Sequence, residues 1–274
     1  QMTGRAGRRG NDVVGYCLWP SVAFYVQLAN PKREDARSKL RKNPTTILGL
    51  MSQGFSSKLI QDFYQNSFMN FRNMKKSDIE FTKMRQHLIR VGAVDEQGQL
   101  TAFGDIARFF PQAGGLLVAR MIQEGKIHGG NLRKVSQLLA ALTTARFKKP
   151  TVSIKYDFPY EKTDIEKQLE FLYPESLFPD EYDPPWRRRR YSVIKEFNPG
   201  VGFVLQEWSV GASWDELREV AGNEAFGDGD LTNVIFRVAS YLQSMVALEG
   251  DSDLSSSAQL FREELLREPL SAIF

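Results

Sequence analysis

With 274 residues, 42% of them hydrophobic and 25% charged, the chain has the makeup of a globular protein with room for one large or two modest domains. A net charge of +3 permits a nucleic-acid partner without requiring one, and the single cysteine, Cys17, excludes an internal disulfide framework and favours a reducing, intracellular compartment. Two histidines, His87 and His128, leave too few ligands for a zinc site of ordinary spacing, and no run approaches the roughly 18 apolar residues of a membrane-spanning helix, so neither a metal nor a membrane partner is expected.

The chain opens on Gln1-Met2-Thr3-Gly4-Arg5-Ala6-Gly7-Arg8-Arg9-Gly10, a cassette without hydrophobic period or the apolar core of a secretory leader. Its glycines let a backbone approach a phosphate closely, and its arginines carry fixed charge on planar donor forks suited to phosphate oxygens. On composition alone it is either a flexible basic arm or a phosphate-binding element. Val13-Val14-Gly15-Tyr16-Cys17-Leu18-Trp19, stopped by Pro20, reads as a strand, with Cys17 a buried thiol. Residues 31–44 are a charged run, read as a linker or a solvated helix face.

From Thr45 the pattern turns helical. Ile47, Leu48, Leu50 and Met51 form one short helix, and Leu59, Ile60, Phe63 and Tyr64 begin another that ends near Phe68 and Phe71. Ser77 and Asp78 are expected to cap a helix carrying Ile79, Phe81, Met84, Leu88 and Ile89, which stops at Gly92. Ala93 to Leu100, with turn residues Asp95 to Gly98, reads as a small hairpin, and helices followed by a β-wing are the plan of a winged helix. Further helices are predicted from Leu100 to Arg108, from Gly114 to Gly125 and from Leu132 to Ala145. From Arg146 to Tyr191, prolines are expected to break any long element, while dense aromatics argue for an ordered, irregular surface insertion. Helices resume with Phe203, Val204, Leu205 and Trp208, then Trp214, Leu217 and Val220, then a long one from Leu231 to Leu248 capped by Asp230, and a last one from Ser256 to Leu266. Trp208 and Trp214 are expected as core anchors.

The order Gln-x-x-Gly-Arg-x-Gly-Arg-x-Gly of the first residues closely resembles motif VI of superfamily 2 helicases, in the form of the superkiller-like RNA helicases. Gly114 to Gly125 resembles the same family, and Glu207 to Leu231 resembles the DSHCT region that closes it. The resemblance covers residues 1–145 and 199–274 and leaves 146–198 unmatched. It implies a mainly α fold: a winged helix followed by a helical ratchet bundle, preceded by the last strand and motif VI of a RecA-like lobe. The implied divisions are 1–30 for the lobe's end, 31–104 for linker and winged helix, 105–145 for the first part of the bundle, 146–198 for the insertion and 199–274 for the closing bundle. The chain then reads as the C-terminal portion of an ATP-dependent RNA helicase.

The same resemblance implies site residues. Arg5 and Arg8 match the positions that neutralise the ATP γ-phosphate in the transition state, Gln1 a polar contact on the nucleotide side, and Gly4 and Arg9 the remainder of the cassette. ATP with Mg2+ is the cofactor of the intact protein. No Gly-x-x-x-x-Gly-Lys-Ser/Thr run or Asp-Glu-x-His run occurs, so this segment alone is expected to bind neither and to hydrolyse nothing. On the Leu231–Leu248 helix, Arg237 and Ser240 share one face and are expected to touch a single strand, although Asn233 stands where the family has an arginine. Arg187, Arg188, Arg189 and Arg190, flanked by Trp186 and Tyr191, suit phosphate pairing and base stacking, but the acidic residues Asp180, Glu181 and Asp183 upstream equally suit docking of a protein partner through 146–198. Single-stranded RNA is the expected partner. A DNA-unwinding relative and a non-enzymatic winged-helix adaptor are the alternatives.

Overall fold

A computed structural model describes residues 43–65, 77–143, 157–174, 177, 197–221, 227–248 and 250–273. All of them lie in one compact unit, Leu40–Phe274. The expected lobe end, the strand over Val13–Trp19 and most of the charged run lie outside the described residues.

The unit is mainly helical. Helix α1, Pro44–Ser52, begins where a pre-set proline φ meets a side-chain cap: Asn43 Oδ1 accepts the Thr45 N–H at 3.1 Å. Helix α2, Ser57–Gln65, buries Ile60 and Tyr64. Helix α3 spans Ser77–Arg90, so Ser77 and Asp78 form its first turn rather than caps before it. It ends at Gly92, whose φ of +77° lets the chain reverse, and Ala93 N–H then returns to Leu88 O at 2.9 Å.

The expected β-wing is reduced to a tight turn. Val94 and Leu100 form a single antiparallel bridge, closed by Asp95 N–H on Gln99 O at 2.9 Å. Among the described residues there is no strand around it, and the expected wing has no sheet. Thr101 then caps helix α4, Ala102–Ala107, through the Gly104 N–H, and its own hydroxyl donates to Gly92 O at 2.6 Å. Gly104 is required there, because a Cβ on it would lie 1.9 Å from Ala93 O.

Helices α5, Gly115–Gln123, and α6, Leu132–Leu142, follow. Along α6 the residues Val135, Leu138, Leu139 and Leu142 are all buried, which makes it the axis of the bundle. Helices α8 (Gly202–Ser209), α10 (Asp228–Val246) and α11 (Ser252–Leu265) pack on it, and α9 (Trp214–Ala221) packs on α8. Trp208 is fully buried, donates its indole N–H to Leu265 O at 2.8 Å, and meets the Trp214 ring edge-on at 5.6 Å. Helix α10 starts three residues earlier than predicted. Its cap is Gly227, and Asp230 sits one turn inside, where its carboxylate reaches back to the Gly227 N–H at 3.3 Å. Asp251 caps α11 by accepting the Leu254 N–H at 3.0 Å, so that helix too begins earlier.

The largest departure is in the proline-rich region. Lys162–Leu172 forms an eleven-residue helix, α7, between the breaks. Ile165, Leu169, Leu172, Tyr173 and Phe197 belong to the same buried cluster as α6 and α8. The Leu116 backbone N–H donates to the Tyr173 hydroxyl at 2.7 Å, which ties α7 to the start of α5. The described part of this region is therefore core, not a surface addition. Its prolines bound the helix instead of preventing it.

Candidate nucleic-acid interface on helix α10

Helix α10 has two faces. Leu231, Val234, Ile235, Val238, Tyr241, Leu242 and Met245 are fully buried. Opposite them, Asn233, Arg237 and Ser240 are exposed and Ser244 is half-buried. These four recur at spacings of four, three and four, so they line one stripe about 16 Å long at the helical rise of ~1.5 Å per residue. Arg237 is the only lysine or arginine in the helix. The carboxylates of its first turn are occupied locally: Asp228 pairs with Arg218 at 3.0 Å, and Asp230 closes the cap.

Arg237 and Ser240 share this face, as their spacing predicts, but neither is idle. The Arg237 guanidinium donates to the backbone carbonyl of Thr143, the residue that closes α6. A carbonyl at a helix end has no partner within its helix, so an arginine fork is a natural cap for it. Ser240 is approached from another direction. Gln112, half-buried in the loop before α5, places its amide nitrogen 3.0 Å from Ser240 Oγ, 3.1 Å from Ser244 Oγ and 3.2 Å from Ser240 O. One residue further on, Ala113 O accepts the Tyr241 hydroxyl. Three ties thus hold α10 to the α4–α5 loop and to the end of α6.

Gln112 and Ser244 carry no local signal that sequence reasoning could use. Gln112 follows Pro111 in a break between helices, and its partners lie 128 and 132 residues away. Gln1, Gly4, Arg5, Arg8, Arg9 and Arg187 to Arg190 lie outside the described residues. Among the described residues, no group of three His, Cys, Asp or Glu is placed to hold a metal ion, and no helix is long and apolar enough to cross a membrane.

One buried titratable group stands apart from this face. His87 on α3 lies 2.9 Å by Nε2 from Leu172 O, at the end of α7, and 2.9 Å by Nδ1 from the Arg90 guanidinium. Arg90 has only donors, so Nδ1 accepts and Nε2–H donates to Leu172 O. Burial lowers the His87 pKa, the carbonyl contact opposes that, and the nearby Arg90 charge lowers it further.

This is a helical scaffold wrapped round one central helix, with a polar face on its longest member. Residues 97–272 match the family model of the DSHCT (NUC185) domain, and the chain belongs to that family. The domain is one found in superkiller-like helicases. The matched span takes in 146–198, which the resemblance in sequence had left out. No curated protein matches the chain.

Proposed function

We propose that the chain is the C-terminal region of an ATP-dependent RNA helicase of the superkiller-like kind, and that α10 guides single-stranded RNA along its polar stripe. The observation that carries this reading is membership of the DSHCT family over 97–272. The motif at the N-terminus supports it independently. Arg5 and Arg8 would neutralise charge on the ATP γ-phosphate, with Gln1, Gly4 and Arg9 shaping the same loop, when a second lobe supplies the nucleotide and its Mg2+. The chain's own part is to position that arginine pair and to hold the strand; it carries no Gly-x-x-x-x-Gly-Lys-Ser/Thr run of its own. The reducing, intracellular setting suggested by the lone Cys17 is consistent with this role.

The test is binding of the purified chain to fluorescent single-stranded RNA and to DNA of the same sequence at two salt concentrations. Binding of RNA with no ATP turnover by the chain alone is the expected result. Tighter binding of DNA would favour a DNA-unwinding relative, and binding of neither would favour a non-enzymatic adaptor. ATP hydrolysis by the chain alone would overturn the assignment of Arg5 and Arg8 as a partner-dependent pair.

A further inference from the structure

The α10 stripe is unsuited to tracking a phosphate backbone. A face that follows phosphates needs several free cations, whereas this one has a single arginine whose fork already serves Thr143 O. What the stripe offers is neutral hydrogen-bonding capacity, concentrated where Gln112, Ser240 and Ser244 meet. There, one amide nitrogen is shared among two hydroxyl oxygens and a carbonyl. The Ser244 hydroxyl proton is directed at Ser240 O at 3.3 Å. The Ser240 hydroxyl receives the Gln112 N–H, which leaves its own proton to give. Among the described residues Gln112 Oε1 has no partner, and it is shielded from water. Reversing the amide does not repair this, because the nitrogen would then lose Ser240 O and take the unpartnered position. The cluster therefore lacks one donor and one acceptor that a ligand could supply.

We propose that Gln112, Ser240 and Ser244 form a sugar-edge contact that distinguishes ribose from deoxyribose in a single strand. The inference rests on the reading that the strand runs along α10. A ribose 2′-hydroxyl both donates and accepts, so it takes the free Ser240 proton and, when the soft terminal amide torsion turns and the Gln112 N–H contacts are exchanged for it, gives its own to Gln112 Oε1. A phosphate only accepts and would be repelled by Oε1. The C2′ methylene of DNA offers neither function. Ser240 and Gln112 act by touching the sugar, and Ser244 completes the three-way contact between loop and helix that holds them in register before the strand arrives.

The experiment compares the full chain's affinity for three strands of one uridine sequence: RNA, 2′-deoxy and 2′-fluoro. The 2′-fluoro strand keeps the ribose pucker and removes the donor. The wild-type chain should bind the RNA about three- to tenfold more tightly than either analogue, the range of one or two neutral hydrogen bonds. Ser240→Ala removes an exposed hydroxyl without disturbing the core and should erase most of that preference by weakening RNA binding alone. Gln112→Ala, checked by thermal melt, should do the same. Equal wild-type affinity for the three strands overturns the inference, as does an equal loss on RNA and DNA in the Ser240→Ala variant. In both of those outcomes strand binding itself survives. Wild-type binding to none of the strands overturns the α10 reading and the inference with it.

Discussion

At the scale of single residues, Arg237 and His87 have roles set by what they touch. Arg237 was legible as a polar position beside an apolar stripe, but its partner Thr143 lies 94 residues away and leaves no periodic trace. Arg237 is exposed, so its tie is worth about 1 kcal/mol, below the ~1.5–3 kcal/mol of hydrogen bonds to charged groups and close to that of a neutral one. Arg237→Gln should lower stability by about that amount in a urea melt and leave the salt dependence of RNA binding almost unchanged. A salt slope that falls by about one unit at unchanged stability would instead make Arg237 a phosphate contact. His87 gives a pH signature. Its folded pKa is lowered, so the unfolded chain binds a proton more readily than the folded one. The stabilising neutral form is fully present above the unfolded pKa of about 6.5 and its benefit is lost as pH falls below that towards the folded value. Protonated Nδ1 would face the Arg90 fork, donor against donor. The stability of the wild-type chain should therefore decline from pH 7 to pH 5 more steeply than that of His87→Gln, by at most about 1.4 kcal/mol per pH unit for one proton. Parallel curves would show that His87 does not couple folding to protons.

At the scale of elements, the helices with a clean 3.6-residue pattern were visible in advance, and those bounded by non-local contacts were not. Helices α6 and α10 carry buried residues at three- and four-residue spacing over three or more turns, so burial follows from the pattern itself. The ends differ because caps depend on which polar side chain wins the free N–H groups. Asp230 looks like a cap in sequence, yet Gly227 takes that position and Asp230 serves from within. Helix α7 was hidden by the prolines around it, although Ile165, Leu169 and Leu172 keep helical spacing. Its contribution is testable. Leu169 is fully buried in the common cluster, so Leu169→Ala should cost about 2–5 kcal/mol and lower the cooperative melt of the whole unit. A mutant that loses only a minor early transition would show that α7 is an appendage, as the proline pattern first suggested.

At the scale of the whole molecule, one question is how the basic run Arg187 to Arg190 is used. The chain on either side of it is core, at Tyr173 and at Phe197. The nearest sequence neighbours upstream, Asp180, Glu181 and Asp183, would repel phosphates and attract a basic or mixed protein surface. Tyrosine and tryptophan beside arginine are the residue types that anchor protein interfaces. We therefore expect the run to dock a protein partner and the neutral α10 stripe to hold the strand. Replacing all four arginines by serine should leave RNA affinity within about twofold of wild type and its salt slope nearly unchanged. If the run instead clamps nucleic acid, lost phosphate contacts would release fewer counterions, and the slope of log affinity against log salt would fall by about two units or more. That change would assign the electrostatic share of strand binding to this segment and leave to the α10 stripe the reading of the sugar.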